Sequence, residues 1–212
     1  MAVIRVRQHV NPLSQKYQRP IEPPDWSQVY GNLDQPLHLD IGCGKGHFLL
    51  QMAQLQPEWN FLGLEIREPL VHQALERRDQ LALANLHYLF GNANISLESL
   101  FKGWPTHRLQ RVSIQFPDPW FKKRHRKRRV VQSELVTELA RLMPSAGTVI
   151  LQSDVEEVAR AMCDRFQENP AFARSSPDWL ADSPLPAMTD REKVTLGQGK
   201  PVYRAVFKRE GN

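Results

Sequence analysis

Cysteine is almost missing from this chain of 212 residues: Cys43 and Cys163 stand 120 positions apart. Neither a disulfide framework nor a Cys-x-x-Cys metal knuckle is on offer, and no metal is expected. Long apolar runs are missing as well. Hydrophobic residues make up 41% but nowhere form the run of about 18 that a bilayer span needs. The start, Met1-Ala-Val-Ile-Arg-Val-Arg, has no signal-like apolar stretch. These absences exclude fibrous, disulfide-stapled and membrane classes and lead us to expect a cytoplasmic protein with no membrane association. The length suits one α/β domain with a real core.

What is present is charge in an uneven distribution. Lys and Arg number 28 against 23 acids, yet seven of the 28 fall in Lys122-Lys-Arg-His-Arg-Lys-Arg-Arg129. Without that run the chain is mildly acidic. A second stretch free of acids, from Met1 to Pro20, carries Arg5, Arg7, Lys16 and Arg19. Two concentrated cationic segments on an anionic body point to a polyanionic partner met at a defined place. A solvated basic loop or a localisation tag is the plainer alternative.

Five of the 16 prolines lie in the first 36 residues, so residues 1–36 read as an extended basic arm with little regular structure. The folded domain is expected over 37–212. There, strand-like runs (37–41, 60–66, 86–90, 112–116, 148–152) alternate with helical patterns (48–55, 69–84, 95–101, 130–143, 155–166). Leu135, Leu139 and Leu142, then Val155, Val158, Met162 and Phe166, repeat at helical spacing and read as core. Strand after helix after strand predicts a parallel sheet covered on both faces. Residues 201–208 form one more strand, reached through an irregular loop, with an antiparallel placement open.

In such a sheet, ligands bind outside the carboxyl ends of the strands. Asp40, Glu65, Asn92, Asp118 and Asp154 stand at or just after those ends, at intervals of 25, 27, 26 and 36 residues. That is one strand-helix unit per step, which gathers them on one rim. Each taken alone is also an ordinary helix cap or turn former. The first turn, Asp40-Ile-Gly42-Cys43-Gly44-Lys45-Gly46, permits positive φ and close approach to a nucleotide-like ligand. It lacks the GxxxxGK[ST] of a phosphate loop, and His47 stands where the dinucleotide fingerprint wants its last glycine. With Glu65 closing the next strand, the pattern instead resembles the S-adenosylmethionine site of class I methyltransferases. That cofactor carries a sulfonium, a ribose diol and an adenine but no phosphate, so carboxylates are welcome near it. Glu65 suits the ribose hydroxyls, Asn92 the adenine edge and Asp40 the methionine end. Cys43, His38 and His47 read as structural.

The fourth strand runs into Phe116-Pro117-Asp118-Pro119-Trp120-Phe121 and then the basic run. Prolines on both sides restrict the backbone around Asp118. A fixed carboxylate beside an aromatic face and a cationic track is a base-reading arrangement; a core anchor is the ordinary role of a lone Trp.

This segment resembles the signature of the tRNA (guanine-N7-)-methyltransferase family, and the similarity extends from Leu37 to Phe207, with Arg7-Gln-His9-Val-Asn11-Pro12 of the arm also similar. The resemblance implies a single-domain, Rossmann-like class I methyltransferase with a mostly parallel seven-stranded sheet. It implies methyl transfer from S-adenosylmethionine to N7 of the guanosine at position 46, in the variable loop of tRNA. Position by position it implies cofactor contacts at Asp40, the glycines of the first turn (Gly42, Gly44, Gly46), Glu65, Asn92 and Asp118, with Asp118 also the catalytic residue. It implies substrate contacts at Lys122 and Asp154, and RNA contacts along Arg124, His125, Arg126, Lys127, Arg128 and Arg129. A Thr-x-x-Glu element falls at Thr189 and Glu192, with Arg191 where the family often has an aromatic. Thr-x-x-Glu is also a helix capping box, but Gly197 and Gly199 argue against a long helix there. The chain is expected to work as a monomer or homodimer. Three rivals rank behind this reading: methylation of an exocyclic amine, a non-catalytic RNA-binding module, and a nicotinamide-dependent oxidoreductase.

Overall fold

The computed structural model describes residues 10–105 and 107–211. Arg5, Arg7 and His9 of the arm lie outside the described residues. Seven strands form one sheet among the described residues: β1 (Leu37–Ile41), β2 (Asn60–Glu65), β3 (Leu86–Phe90), β4 (Leu109–Gln115), β5 (Thr148–Ser153), β6 (Phe172–Arg174) and β7 (Tyr203–Arg209). Their order is β3-β2-β1-β4-β5-β7-β6. The first five are parallel, and β7 runs antiparallel to both β5 and β6. Every residue of β1 and β2 is buried, as expected of parallel strands covered on both faces.

The helices are α1 (Trp26–Val29), α2 (His47–Leu55), α3 (Glu68–Gln80), α4 (Ala93–Leu100), α5 (Ser133–Leu142), α6 (Glu156–Gln167) and α7 (Asp190–Gly197). Alternation along the strands divides the core in two. Leu37, Leu39, Ile41, Val112 and Ile114 meet α4, α5 and α6 on one face. Phe61, Leu86 and Tyr88 meet α2 and α3 on the other. The Leu135/Leu139 and Val158/Met162/Phe166 stripes are buried.

Two features differ from the sequence reading. The three-residue strand β6 has too short an apolar pattern to announce itself. Helix α7, by contrast, is short, as Gly197 and Gly199 imply, and Thr189 Oγ1 caps it by accepting from Glu192 N at 3.0 Å. Helix α5 begins at Ser133 rather than near Val130, because Gln132 donates its amide to the carbonyls of Arg126 and Arg129 and holds the preceding segment in a separate 3-10 turn.

The proline-rich segment before Leu37 has little regular structure but packs into the same core. Trp26 and Tyr30 are buried and lie against Trp104 at centroid distances of 4.5 and 5.5 Å. Tyr30 donates its hydroxyl to Phe61 O at 2.9 Å. Ile21 exchanges hydrogen bonds with Ser96 and Ser99 and covers Gly91, where a Cβ would come within 2.3 Å of it. Proline removes helix and strand donors; it does not stop aromatic neighbours from burying area.

The glycines of the first turn divide their work. Gly46 has φ +77, and a Cβ there would stand 2.7 Å from the ring of Tyr88 and 2.8 Å from Ala74 Cβ. The Tyr88 hydroxyl donates to Gly46 O at 2.7 Å, which fixes the start of α2 against β3. Gly46→Val should therefore lower unfolding stability by at least about 2 kcal/mol, combining backbone strain and overpacking. Urea denaturation measures it, and a midpoint equal to the parent's would contradict this packing.

Candidate functional site

The strand order reverses between β1 and β4, and a cleft opens there beyond the strand ends, as open parallel sheets dictate. It spans about 790 Å³ including its mouth and is lined by Gly42, Glu65, Asn92, Gln115, Asp118 and Trp120 together with Val10 and Pro12 of the arm. Residues spread over more than a hundred positions therefore share one cavity. Gly42 and Gly44 have φ of +83 and +57, and no heavy atom lies within 4 Å of where a Cβ would stand. These two glycines leave room above the turn, whereas Gly46 faces the core.

Glu65 is 2% exposed and fully engaged. It accepts from Gly44 N at 2.9 Å, from Arg67 N and Nε at 2.9 Å each, and from Arg67 Nη2 at 3.1 Å. Asp40 lies beneath the cleft, 4% exposed, and accepts from Ser113 Oγ at 2.6 Å and Gln115 Nε2 at 3.2 Å. Burial raises its pKa to about 6, against the opposing pull of those two donors, and repulsion from Glu65 adds to the rise. His38 stands behind Ser113, with Nε2 2.8 Å from its Oγ. Burial, then the charge of Arg111, lowers its pKa and keeps it neutral.

The row continues across the sheet. Gln152 donates to Gln115 Oε1 at 2.8 Å and to Glu192 Oε2 at 3.1 Å. Glu192, fully buried, accepts from Arg204 Nη2 at 2.8 Å. A polar chain thus links Asp40 on β1 to α7 through Gln115 and Gln152, which are register partners on β4 and β5. Sequence reasoning missed both glutamines and Arg204. The available signal was a polar residue near the end of each otherwise apolar strand.

Asn92 caps α4, its Oδ1 accepting from Asn94 N at 3.2 Å, while its Nδ2 donates to Pro12 O and Tyr17 O at 3.3 Å each. Its amide ties the arm to the cleft. Arg67, also missed, is the guanidinium that neutralises Glu65.

At the opposite wall, Pro117-Asp118-Pro119 is bracketed by two non-glycine residues in the left-handed region, Phe116 at φ +49 and Trp120 at φ +40. Each such conformation costs about 1–3 kcal/mol. The Trp120 ring meets the edge of His125 at 5.6 Å and the Arg128 guanidinium at 5.0 Å. Arg129 donates to Pro119 O at 2.9 Å and pairs with Glu157, as does Arg126. The basic run is therefore split in two. Arg128 and Arg129 brace the Pro-Asp-Pro turn, while Lys122, Lys123, Arg124 and Lys127 are exposed and form no ion pair among the described residues.

Asp154, Thr189 and Glu192 do not line this cleft. Asp154 is ion-paired with Arg191, whose Nε donates at 2.8 Å, Thr189 caps α7, and Glu192 is held by Arg204 and Gln152. Asp190 at the start of α7 accepts a hydrogen bond from His47 Nδ1 at 2.6 Å. Among the described residues there is no cluster of His, Cys, Asp and Glu suited to a metal ion, and no helix is long and apolar enough to cross a membrane.

Comparison with known proteins follows the same lines. A family model described as "Putative methyltransferase" matches residues 34–205. A protein of Trichormus variabilis named tRNA (guanine-N(7)-)-methyltransferase is 61% identical, over 97% of this chain and 96% of its own. One of the same name from Microcystis aeruginosa is 58% identical, over 98% and 99%. Among solved structures, the 16S rRNA methyltransferase KamB superposes with a TM-score of 0.61 at 14% identity, covering 92% of this chain and 98% of that one. An rRNA methylase from Streptococcus thermophilus gives 0.53 at 11%, covering 84% and 89%. At such identities the structures show the fold alone.

The buried Asp40 has a thermodynamic signature. Its folded pKa lies above the ordinary 3.8, so its contribution to stability is full below that value and is lost as pH rises through about 6. Asp40→Asn keeps the acceptor for Ser113 and Gln115 but cannot ionise. Relative to the parent, the variant should gain roughly 3 kcal/mol of stability between acid and neutral pH. Urea titrations at a series of pH values give the difference, and a flat one would mean that Asp40 ionises normally.

Proposed function

The chain belongs to the tRNA (guanine-N7-)-methyltransferase family, with S-adenosylmethionine as cofactor, and from that premise we propose that it methylates N7 of the guanosine at position 46 in the variable loop of tRNA. The observation that carries this reading is the convergence of Gly42, Glu65, Asn92 and Asp118 on one cleft beside a segment of exposed cations.

The cleft fits the cofactor. Its turn leaves space over Gly42 and Gly44, and its carboxylates suit a ligand that has a positive sulfur and no phosphate. When bound, the cofactor supplies an electrophilic methyl group. Glu65 would take the ribose hydroxyls in exchange for part of its bonding to Arg67. Asp40 would supply negative charge for the methionine end, and Asn92 would hold the wall beside the adenine.

Guanine N7 bears a lone pair and no proton, so its attack on a methyl group requires no general base. The protein's task is in-line positioning and stabilisation of the cation that forms. Asp118 does both in this reading: its carboxylate accepts from the N–H groups of the guanine edge and offsets the growing charge. The strained backbone on either side keeps it from relaxing toward solvent. Lys122, Lys123, Arg124 and Lys127 meet the phosphates, while Arg126, Arg128 and Arg129 hold the segment that presents them. Asp154, released from Arg191, contacts the substrate, and the Thr189–Glu192 element shapes that side through α7.

Incubation with methyl-labelled cofactor and unmodified tRNA, followed by borohydride reduction and aniline cleavage, should cut the RNA at guanosine 46. Label on an exocyclic amine, or at another guanosine, would refute the assignment. Asp118→Ala should lower methyl transfer on the order of a hundredfold or more while tRNA binding changes little; near-normal transfer would remove Asp118 from the mechanism. Replacing Lys122, Lys123, Arg124 and Lys127 by Gln should flatten the salt dependence of tRNA binding by roughly 0.7–0.9 in log–log slope for each phosphate no longer neutralised. An unchanged slope would take the phosphates elsewhere.

A further inference from the structure

Phe121 sits between the reactive turn and the basic segment and is 62% exposed, the one exposed residue among the described Phe, Tyr and Trp. Its neighbour Trp120, the aromatic the sequence offers for stacking, is engaged by His125 and Arg128 and lines the cleft beside Asp118. Phe121 does not line the cleft. Trp120 has φ +40, which turns the chain so that the two consecutive rings occupy different sites, one in the cavity and one outside it. Lys122, Lys123 and Arg124 follow directly, all exposed.

We propose that Phe121 is a stacking platform for a nucleobase next to the target guanosine, and so a residue that positions the substrate. This rests on the tRNA reading above. Three chain steps separate Phe121 from Asp118, a reach of at most about 10 Å, which places its ring within range of a nucleotide flanking the one held at Asp118. A loop nucleotide drawn into the cleft leaves its neighbour without a stacking partner on that side, and an aromatic or guanidinium face replaces it. Arg128 is committed to Trp120, and Phe121 is the exposed aromatic face next to the turn that carries Asp118. The cations after it fix the phosphates of the same nucleotides, which orients the base over the ring. Its apolar surface faces water when RNA is absent, and base stacking removes it.

The test compares the full-length parent with Phe121→Ala, Phe121→Leu and Phe121→Tyr on unmodified tRNA, with cofactor affinity measured separately by calorimetry. Phe121→Ala should raise KM for tRNA by about 5- to 100-fold, with kcat and cofactor affinity near the parent's. Phe121→Tyr should restore KM and Phe121→Leu should not. A second arm places an abasic nucleotide on each side of the target in turn. On one side the lesion should raise the parent's KM but leave that of Phe121→Ala unchanged. An unaltered KM in Phe121→Ala, equal rescue by Leu, or additive losses at both flanks would overturn the proposal while leaving tRNA methylation intact. A parent that binds the cofactor but methylates no tRNA would remove the functional reading, and this inference with it.

Discussion

The reversal of strand order between β1 and β4 is the constraint on which the rest depends. Parallel strands end on the same side, and the crossovers leaving β1 and β4 depart in opposite directions, so neither covers the gap between them. Side chains just past the strand ends are left facing one another across it. Gly42, Glu65, Asn92 and Asp118 owe their proximity to this topology rather than to any local attraction. Local chemistry then adapts each position: glycine where the turn leaves room, an N-capping Asn where α4 begins, and prolines that restrict the backbone on either side of Asp118.

Burying acids beside such a cleft has an electrostatic cost, and the fold meets it with arginines. Arg67 lies on Glu65, Arg191 on Asp154 and Arg204 on Glu192. Asp40 has no arginine and depends on Ser113 and Gln115, which explains why burial wins and its pKa rises. A partly exposed pair such as Arg191–Asp154 exchanges partners at small cost, whereas the fully buried Glu192–Arg204 pair cannot lose a member without leaving an uncompensated charge. The polar row from Asp40 to Glu192 crosses the middle of the sheet and hydrogen-bonds α7 to the residues beneath the cleft.

The basic segment shows the same division of labour. A string of seven cations reads as a single patch in one dimension, yet Arg128 and Arg129 turn inward to Trp120, Pro119 and Glu157, and only part of the run faces outward. Bracing and presentation come from adjacent residues because the 3-10 turn over Lys123–Arg128 sends successive side chains in different directions.

Much of this architecture is legible in one dimension. Apolar runs of strand length, alternating with helical stripes such as Leu135/Leu139, determine a parallel sheet with two covered faces, because burial on both sides leaves no other pattern. The polar residues after the strands mark the cleft at Glu65, Asn92 and Asp118, whereas Asp154 pairs with Arg191 outside it. What escaped was whatever depends on a partner distant in sequence. That Trp26 and Tyr30 belong to the core, that Arg67 closes on Glu65, and that Gln115 and Gln152 form a register pair follow from three-dimensional neighbours alone. Hydrophobic periodicity is a local property that the chain carries with it. The charge balance of a buried group is a sum over everything packed around it, so only the tertiary structure decides which acids line the cleft, which are held in pairs, and which of the cations face solvent.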